Sequence, residues 1–351
     1  MKYPALCTFA DLLPQLDTFD TIIDVRSPSE FAEDHLPGAI NCPVLDNDER
    51  ARIGTIYKQI NAFTAKKAGA ALVAQNIGRH IDSQFQQHPK EWKPLIYCWR
   101  GGNRSGAMTH VLAKIGWPAV QLDGGYKAYR QYVNASMPAL ATRLQFRVVC
   151  GTTGSGKSRL LQTLAQQGAQ VLDLEQLAEH RGSVLGGWPS APQPSQKMFE
   201  SRLWHALRHF NPSRIVFVES ESKKVGNVRV PEALMAHIRD APCIALQLSQ
   251  PLRVQLLMQE YDHFVAGPEV LVAQLDCLVT LYGKDRISLW QAMARTGDLR
   301  PLVEELLVQH YDPAYLKSIE RNFNQYSEAE VVTLDDISDA EFAQAARRLV
   351  A

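Results

Sequence analysis

Residues 151–158 read Gly-Thr-Thr-Gly-Ser-Gly-Lys-Ser and fit the pattern G-x-x-x-x-G-K-[ST] at every fixed position. No other feature of this sequence restricts its fold so tightly. Such a loop needs a strand before it and a helix after it. Successive backbone N–H groups must turn toward one point, and the positive end of the helix must face that same point. Both flanks are present, as Phe146–Cys150 (FRVVC) and the amphipathic run SRLLQTLAQQ. Gly151, Thr152, Thr153, Gly154, Ser155 and Gly156 are therefore expected to cradle phosphate oxygens. Lys157 should neutralise the terminal phosphate, and Ser158 should hold a magnesium ion. A second magnesium-directed carboxylate should end a neighbouring strand. Glu219, after Ile215–Val218, is the first candidate, and Asp173, after Val171–Leu172, is the other. Glutamate at that place departs from the usual aspartate, which leaves open whether a nucleoside triphosphate is hydrolysed. The motif identifies a phosphate chain and not what the chain carries.

The 351 residues suffice for two domains, and 46% hydrophobic with 21% charged content is ordinary for globular protein. Short β-branched or apolar runs recur at Thr21–Val25, Leu95–Cys98 and Val120–Leu122, and again at Phe146–Cys150, Val171–Leu174, Ile215–Val218 and Ile244–Leu248. Each is followed by a turn and a helical stretch, the signature of parallel α/β sheets. Helical periodicity fills about 48–90 and most of the chain beyond Arg253, with Pro301 and Pro313 as first-turn residues. The expected organisation is a first α/β domain over 1–138 with a helical insertion. A second, P-loop NTPase-like parallel α/β domain over 139–351 follows, with a helical C-terminal part.

A second chemical feature lies in the first domain. Cys98 closes a strand and is followed by Trp-Arg-Gly-Gly-Asn-Arg-Ser and a helix. A cysteine so placed sits among backbone N–H groups at a helix N-terminus, a field that favours thiolate over thiol. Arg100 and Arg104 should add positive charge. DVRSPSEFAEDHLPGAINCP (Asp24–Pro43), YCWRGGNRS (Tyr97–Ser105) and VQLDGGYKAYR (Val120–Arg130) together resemble the rhodanese family. The resemblance implies a transferable persulfide or selenium adduct on Cys98, with Asp24 and Arg26 as the acid–base pair under the loop. Five residues separate Cys98 from Arg104, where most small rhodaneses have four. Five matches the related cell-cycle phosphatases and keeps a Cys-dependent phosphatase open. It also suits a larger donor such as selenophosphate.

A rhodanese-like module joined to a phosphate-binding module in this order resembles the bacterial tRNA 2-selenouridine synthases. Further segments carry that likeness: NDERARIGTIYKQ (Asn47–Gln59), DLEQLAEHRGS (Asp173–Ser183), VESESKKVGNVRVPE (Val218–Glu232) and HYDPAY (His310–Tyr315). The resemblance implies conversion of 2-thiouridine to 2-selenouridine at the wobble position of tRNAs for Lys, Glu and Gln. Geranyl diphosphate would alkylate the sulfur, and selenophosphate would deliver selenium. It implies these two as co-substrates with magnesium, no tightly bound cofactor, and selenophosphate synthetase as a further partner. The alternatives are a small-molecule sulfurtransferase or a Cys-dependent phosphatase fused to a nucleotide-binding module, and a non-catalytic RNA-binding scaffold.

Formal net charge is zero, from 37 basic and 37 acidic residues, so any RNA contact must be local. Between Lys197 and Arg229 seven Lys/Arg stand against three Glu. Lys197, Arg202, Lys223, Lys224 and Arg229 are candidate tRNA contacts, with Arg181 beside His180 and Ser183 near the phosphate loop. The six cysteines show no CxxC pairing, which fits a reducing compartment and no zinc site. No signal peptide and no span of about 18 apolar residues is read. The expected location is the cytoplasm, without membrane contact.

Overall fold

Strands that are apolar on both faces bury both only in a parallel sheet covered by helices. The computed structural model, which describes residues 5–182, 192–260 and 268–350, contains two such sheets. The chain divides into Met1–Ser136 with Lys197–His205, and Met137–Gln196 with Ala206–Ala351.

In the first unit the strands are β1 (Ala5–Cys7), β2 (Thr21–Asp24), β3 (Ala39–Asn41), β4 (Pro94–Tyr97) and β5 (Val120–Leu122). They lie in the order β1-β5-β4-β2-β3, all parallel. The helices are α1 (Phe9–Leu12), α2 (Pro28–Glu33), α3 (Asn47–Gln59), α4 (Ala62–His80), α5 (Asn103–Ile115) and α6 (Gly125–Thr142). α3 and α4 form a helical hairpin between β3 and β4. Asp46 and Glu49 make a capping box at the start of α3, and Asn61 caps α4, which fixes the short turn between them. Ile77 of α4 enters the same core as Ile23, Ile96, Cys98, Met108 and Leu112.

The second unit holds β6 (Gln145–Cys150), β7 (Gln170–Leu172), β8 (Ile215–Glu219), β9 (Lys224–Val225), β10 (Val228–Arg229), β11 (Cys243–Leu248) and β12 (Glu330–Leu334). β9 and β10 pair as a small antiparallel ribbon, and the rest form a parallel sheet in the order β12-β11-β6-β8-β7. Its helices are α7 (Lys157–Gln166), α8 (Leu174–Ala178), α9 (Gln196–His209), α10 (Glu232–Arg239) and α11 (Gln250–Glu260). They continue with α12 (Pro268–Leu275), α13 (Val279–Thr296), α14 (Leu299–Leu306), α15 (Asp312–Asn322) and α16 (Asp339–Val350). Residues Lys197–His205 of α9 group with the first unit.

The region beyond Arg253 is not helical throughout. β12 extends the sheet, pairing with β11 from Ile244↔Glu330 to Leu248↔Leu334. Val332 and Leu334 are buried in the core that α16 covers, while Val331 faces outward. A five-residue edge strand within a helix-rich stretch gives too short an alternation to stand out. β1 and β3, three residues each, were unread for the same reason. Among the described residues no helix is long and apolar enough to cross a membrane.

One glycine joins fold and site in the first unit. Gly125 opens α6 at φ +56°, and a Cβ there would lie 2.2 Å from the Cys98 carbonyl oxygen and 2.5 Å from the Gly101 nitrogen. Gly125→Ala should therefore destabilise the first unit by about 2 kcal/mol or more, read as a lower urea midpoint at unchanged slope.

Candidate active site

In each sheet a candidate loop leaves the carboxyl end of the middle strand, where open α/β sheets bind ligands. Cys98 directly follows β4. Its sulfur is buried and accepts a hydrogen bond from Ser105 Oγ at 3.2 Å, on the first turn of α5. Gln121 Nε2 donates to the Gly101 carbonyl at 2.6 Å and to Ser105 Oγ at 3.1 Å. The N–H groups of Tyr126 and Lys127 close on the carbonyls of Cys98 and Trp99 at 2.8 and 3.0 Å. The loop backbone is thus fixed from behind.

Asp24 and Arg26 are both fully buried under this loop and paired at 2.6 Å. Arg26 Nη2 also donates to the Asp34 carbonyl at 2.6 Å, and its guanidinium lies 4.0 Å from the Tyr126 ring centre. Burial opposes charge on Arg26, but the hydrogen bonds and charge of Asp24 override it and hold its pKa above the ordinary value. The two loop arginines are placed differently. Arg104 pairs with Glu30 at 2.9 Å, and Arg100 is exposed.

The second loop runs from β6 into α7. Lys157 Nζ donates to the Gly151 carbonyl at 2.7 Å and lies 5.3 Å from the Tyr315 ring centre. Gly156 adopts φ +89°, and a Cβ there would meet the Phe342 ring at 2.6 Å. Ser155 Oγ is buried without a hydrogen-bond partner. Two anchors arrive from the far C-terminal part. Arg253 donates twice to the Thr153 carbonyl, at 2.7 and 2.9 Å, and is itself held by Asp312 at 2.6 Å. The Gly151 N–H donates to the Tyr315 hydroxyl at 2.6 Å, and that hydroxyl meets Ser220 Oγ at 2.8 Å. Asp312 and Tyr315 belong to HYDPAY, a segment noted in the sequence without a role.

A cavity of about 890 Å³ opens on this loop. Lys157, Ser158, Glu175, Arg181 and Glu221 give it polar walls, and Leu256, Leu257, Ile319 and Phe323 apolar ones. The carboxylate that meets Ser158 is Glu175, whose Oε2 accepts from Ser158 Oγ at 3.1 Å. Glu219 is buried behind it, accepting the Glu175 N–H at 2.8 Å, with its other oxygen unpartnered. Asp173 caps α8 through the Gln176 N–H. Sequence reading missed Glu175 because it sits one turn past the strand end, inside a five-residue helix.

Burial and the neighbouring Glu221 push Glu175 up to about 8, against the pull of Lys157 and Ser158. Burial raises Asp173, Glu219 and Glu221 as well. Oxygen donors short of positive charge fit a hard cation such as magnesium. Among the described residues no three His, Cys, Asp or Glu converge on one metal position. Magnesium would therefore take few protein ligands, Ser158 and Glu175 first, and the remainder from phosphate and water.

The basic candidates are divided between the two units. Lys197 pairs with Glu33, and it and Arg202 belong to the first unit. In the second unit Lys223 pairs with Glu232, Lys224 and Arg229 are exposed on β9 and β10, and Arg181 donates to the Glu260 carbonyl at 3.0 Å. His180 accepts from the Gly182 N–H at 3.1 Å, and Ser183 lies outside the described residues.

Two measurements follow from this geometry. Asp312→Ala leaves Arg253 buried without its carboxylate and should cost about 3 kcal/mol of stability in the second unit, with weaker phosphate binding. Glu175 is raised in the fold, so its contribution is complete below its ordinary value of 4.5 and is lost as pH rises through about 8. Metal-free Glu175→Gln, neutral throughout, should melt above wild type at about pH 9 and close to it at about pH 4.

Residues 8–132 match the family described as Rhodanese-like domain, and residues 144–268 match the family described as tRNA 2-selenouridine synthase AAA domain. The tRNA 2-selenouridine synthase of Bdellovibrio bacteriovorus is 32% identical over 346 residues, covering 86% of this chain and 89% of that one. That of Marinobacter nauticus is 35% identical over 327 residues, covering 84% and 87%. That of Nitrosomonas europaea is 38% identical over 259 residues, covering 72% of this chain and 66% of that protein. With the Cys98 loop and the Lys157 loop each on the middle strand of its own sheet, the chain belongs to the tRNA 2-selenouridine synthases, an enzyme family that joins these two modules.

Proposed function

We propose that this enzyme replaces the sulfur of 2-thiouridine by selenium at the wobble position of tRNAs for Lys, Glu and Gln, each loop serving one step. In the first step the sulfur attacks C1 of geranyl diphosphate. A C–S bond forms, the C–O bond breaks, diphosphate departs and the base gives up its N3 proton. Alkylation turns a poor leaving group into a good one. In the second step the selenium of selenophosphate, the product of selenophosphate synthetase, attacks C2 of the base. A C–Se bond forms, the C–S bond breaks and geranyl thiol departs with a proton. Water then cleaves the Se–P bond, which releases phosphate and leaves 2-selenouridine. The Cys98 loop holds the selenophosphate for this step.

The observation that carries this reading is the pairing of a phosphate loop with apolar walls in one cavity. Lys157 and the N–H groups of Gly156, Lys157 and Ser158 at the start of α7 suit a departing diphosphate, while Leu256, Leu257, Ile319 and Phe323 suit a hydrocarbon chain. Magnesium on Ser158 and Glu175 would add positive charge to the same leaving group. The cradle then has work without any nucleotide. The buried Asp24–Arg26 pair and Ser105 hold the Cys98 loop in the shape that would receive an anionic donor.

Purified protein, thiolated tRNA and geranyl diphosphate, followed by selenophosphate, should give S-geranylated and then selenated nucleoside by mass spectrometry. Lys157→Ala should lower the geranylation rate by about a hundredfold or more. Cys98→Ser should retain geranylation and lose selenation. Geranylation at the wild-type rate by Lys157→Ala would remove the phosphate loop from the first step.

A further inference from the structure

The α3–α4 hairpin carries a surface that neither loop uses. Between Glu49 and Asp82 the chain has no acidic residue, yet it holds six Lys/Arg: Arg50, Arg52, Lys58, Lys66, Lys67 and Arg79. In a chain of zero net charge this is a local excess of positive charge. Three large apolar side chains stand out of water-avoiding contact at the hairpin tip. Tyr57 is 60% exposed, Ile60 63% and Phe63 69%.

The helices explain why these groups stay together. Ile53 and Tyr57 share one stripe of α3 at a spacing of four, Ile60 follows at the cap of the helix, and Ile53 packs on Gly69 of α4 at the stripe's inner end. Phe63, Lys66 and Lys67 share one face of α4, and Lys67 Nζ lies 5.0 Å from the Phe63 ring centre. The opposite face of α4 is buried through Ala65, Gly69 and Asn76, which leaves the Phe63 face outward at the tip. Arg52, Lys58, Lys66 and Lys67 are exposed and have no carboxylate partner among the described residues. Arg50, at the hairpin base, does have one. It pairs with Glu30 at 2.9 Å, and Glu30 is also the partner of Arg104 in the Cys98 loop.

We infer that the α3–α4 hairpin tip is an RNA-docking surface, on which unpaired bases of the tRNA anticodon loop stack against Tyr57 and Phe63 while Lys58, Lys66 and Lys67 hold the flanking phosphates. This rests on the tRNA reading above and assigns the surface within it. Exposed aromatic faces ringed by cations are what single-stranded RNA needs, since every base offers a π-face and every linkage a negative charge. Double-stranded RNA offers no base faces to such rings. A lipid surface would be drawn by the same cations, but three side chains clustered at a hairpin tip make no extended apolar helix face to lie in it.

The test uses full-length protein and a fluorescent anticodon stem-loop RNA, with a fully paired duplex of the same stem and phosphatidylserine-containing vesicles as parallel probes. Tyr57→Ala/Phe63→Ala should weaken stem-loop binding about tenfold or more and change duplex binding less than about twofold. Lys58→Glu/Lys66→Glu/Lys67→Glu should lower the log–log salt slope for the stem-loop by about 2. Both variants should melt with wild type, because every changed side chain is exposed. Stem-loop affinity and salt slope equal to wild type in both variants would overturn the assignment, and so would a loss confined to vesicle binding. Wild-type protein that binds no RNA would overturn the tRNA reading along with it.

Discussion

Burying an arginine is costly unless a carboxylate and further acceptors meet its N–H groups, and this chain supplies them once beneath each reactive loop. Under the Cys98 loop Arg26 is held by Asp24 and gives a further Nη2 donor to the Asp34 carbonyl. Behind the phosphate loop Arg253 is held by Asp312 and gives two donors to the Thr153 carbonyl. In both places the carboxylate aims the guanidinium and the guanidinium braces backbone. A loop that receives an anion through its own N–H groups cannot also be stiffened from the front, so the stiffening comes from beneath.

A tyrosine completes each arrangement. Tyr126 covers Arg26 with its ring and closes on the Cys98 carbonyl with its N–H. Tyr315 offers its hydroxyl to the Gly151 N–H and its ring to Lys157. The two loops differ in their surroundings. The Cys98 loop is backed by Gln121, Ser105 and the opening turn of α6. Around Lys157 a large cavity remains, rimmed by carboxylates whose burial makes them hold protons more tightly than usual.

What could be read in advance divides along the same line. Gly151–Ser158 and the Cys98 loop were legible because their chemistry is local, with strand, turn and helix start consecutive in the chain. The strand ends at Asp24 and Glu219 were legible for the same reason. Arg253, Asp312 and Tyr315 were not, since they lie about a hundred residues or more from the loop they brace, and nothing in their own neighbourhoods marks the contact. Glu175 escaped because an N-cap aspartate two residues earlier looked like the strand-end carboxylate. β12 escaped because its five residues acquire a burial pattern only once β11 lies beside them. The aromatic tip of the α3–α4 hairpin has no sequence signature either. Nothing in the sequence marks Tyr57 and Phe63 as exposed.

The ammonium of Lys157 rests on the Gly151 carbonyl in this structure. An ammonium carries three donors, so this contact leaves two N–H groups for an arriving anion. It also draws the side chain back over its own loop before any ligand is bound. Less of its rotamer freedom is then lost when a phosphate chain enters, and binding is stronger by that amount.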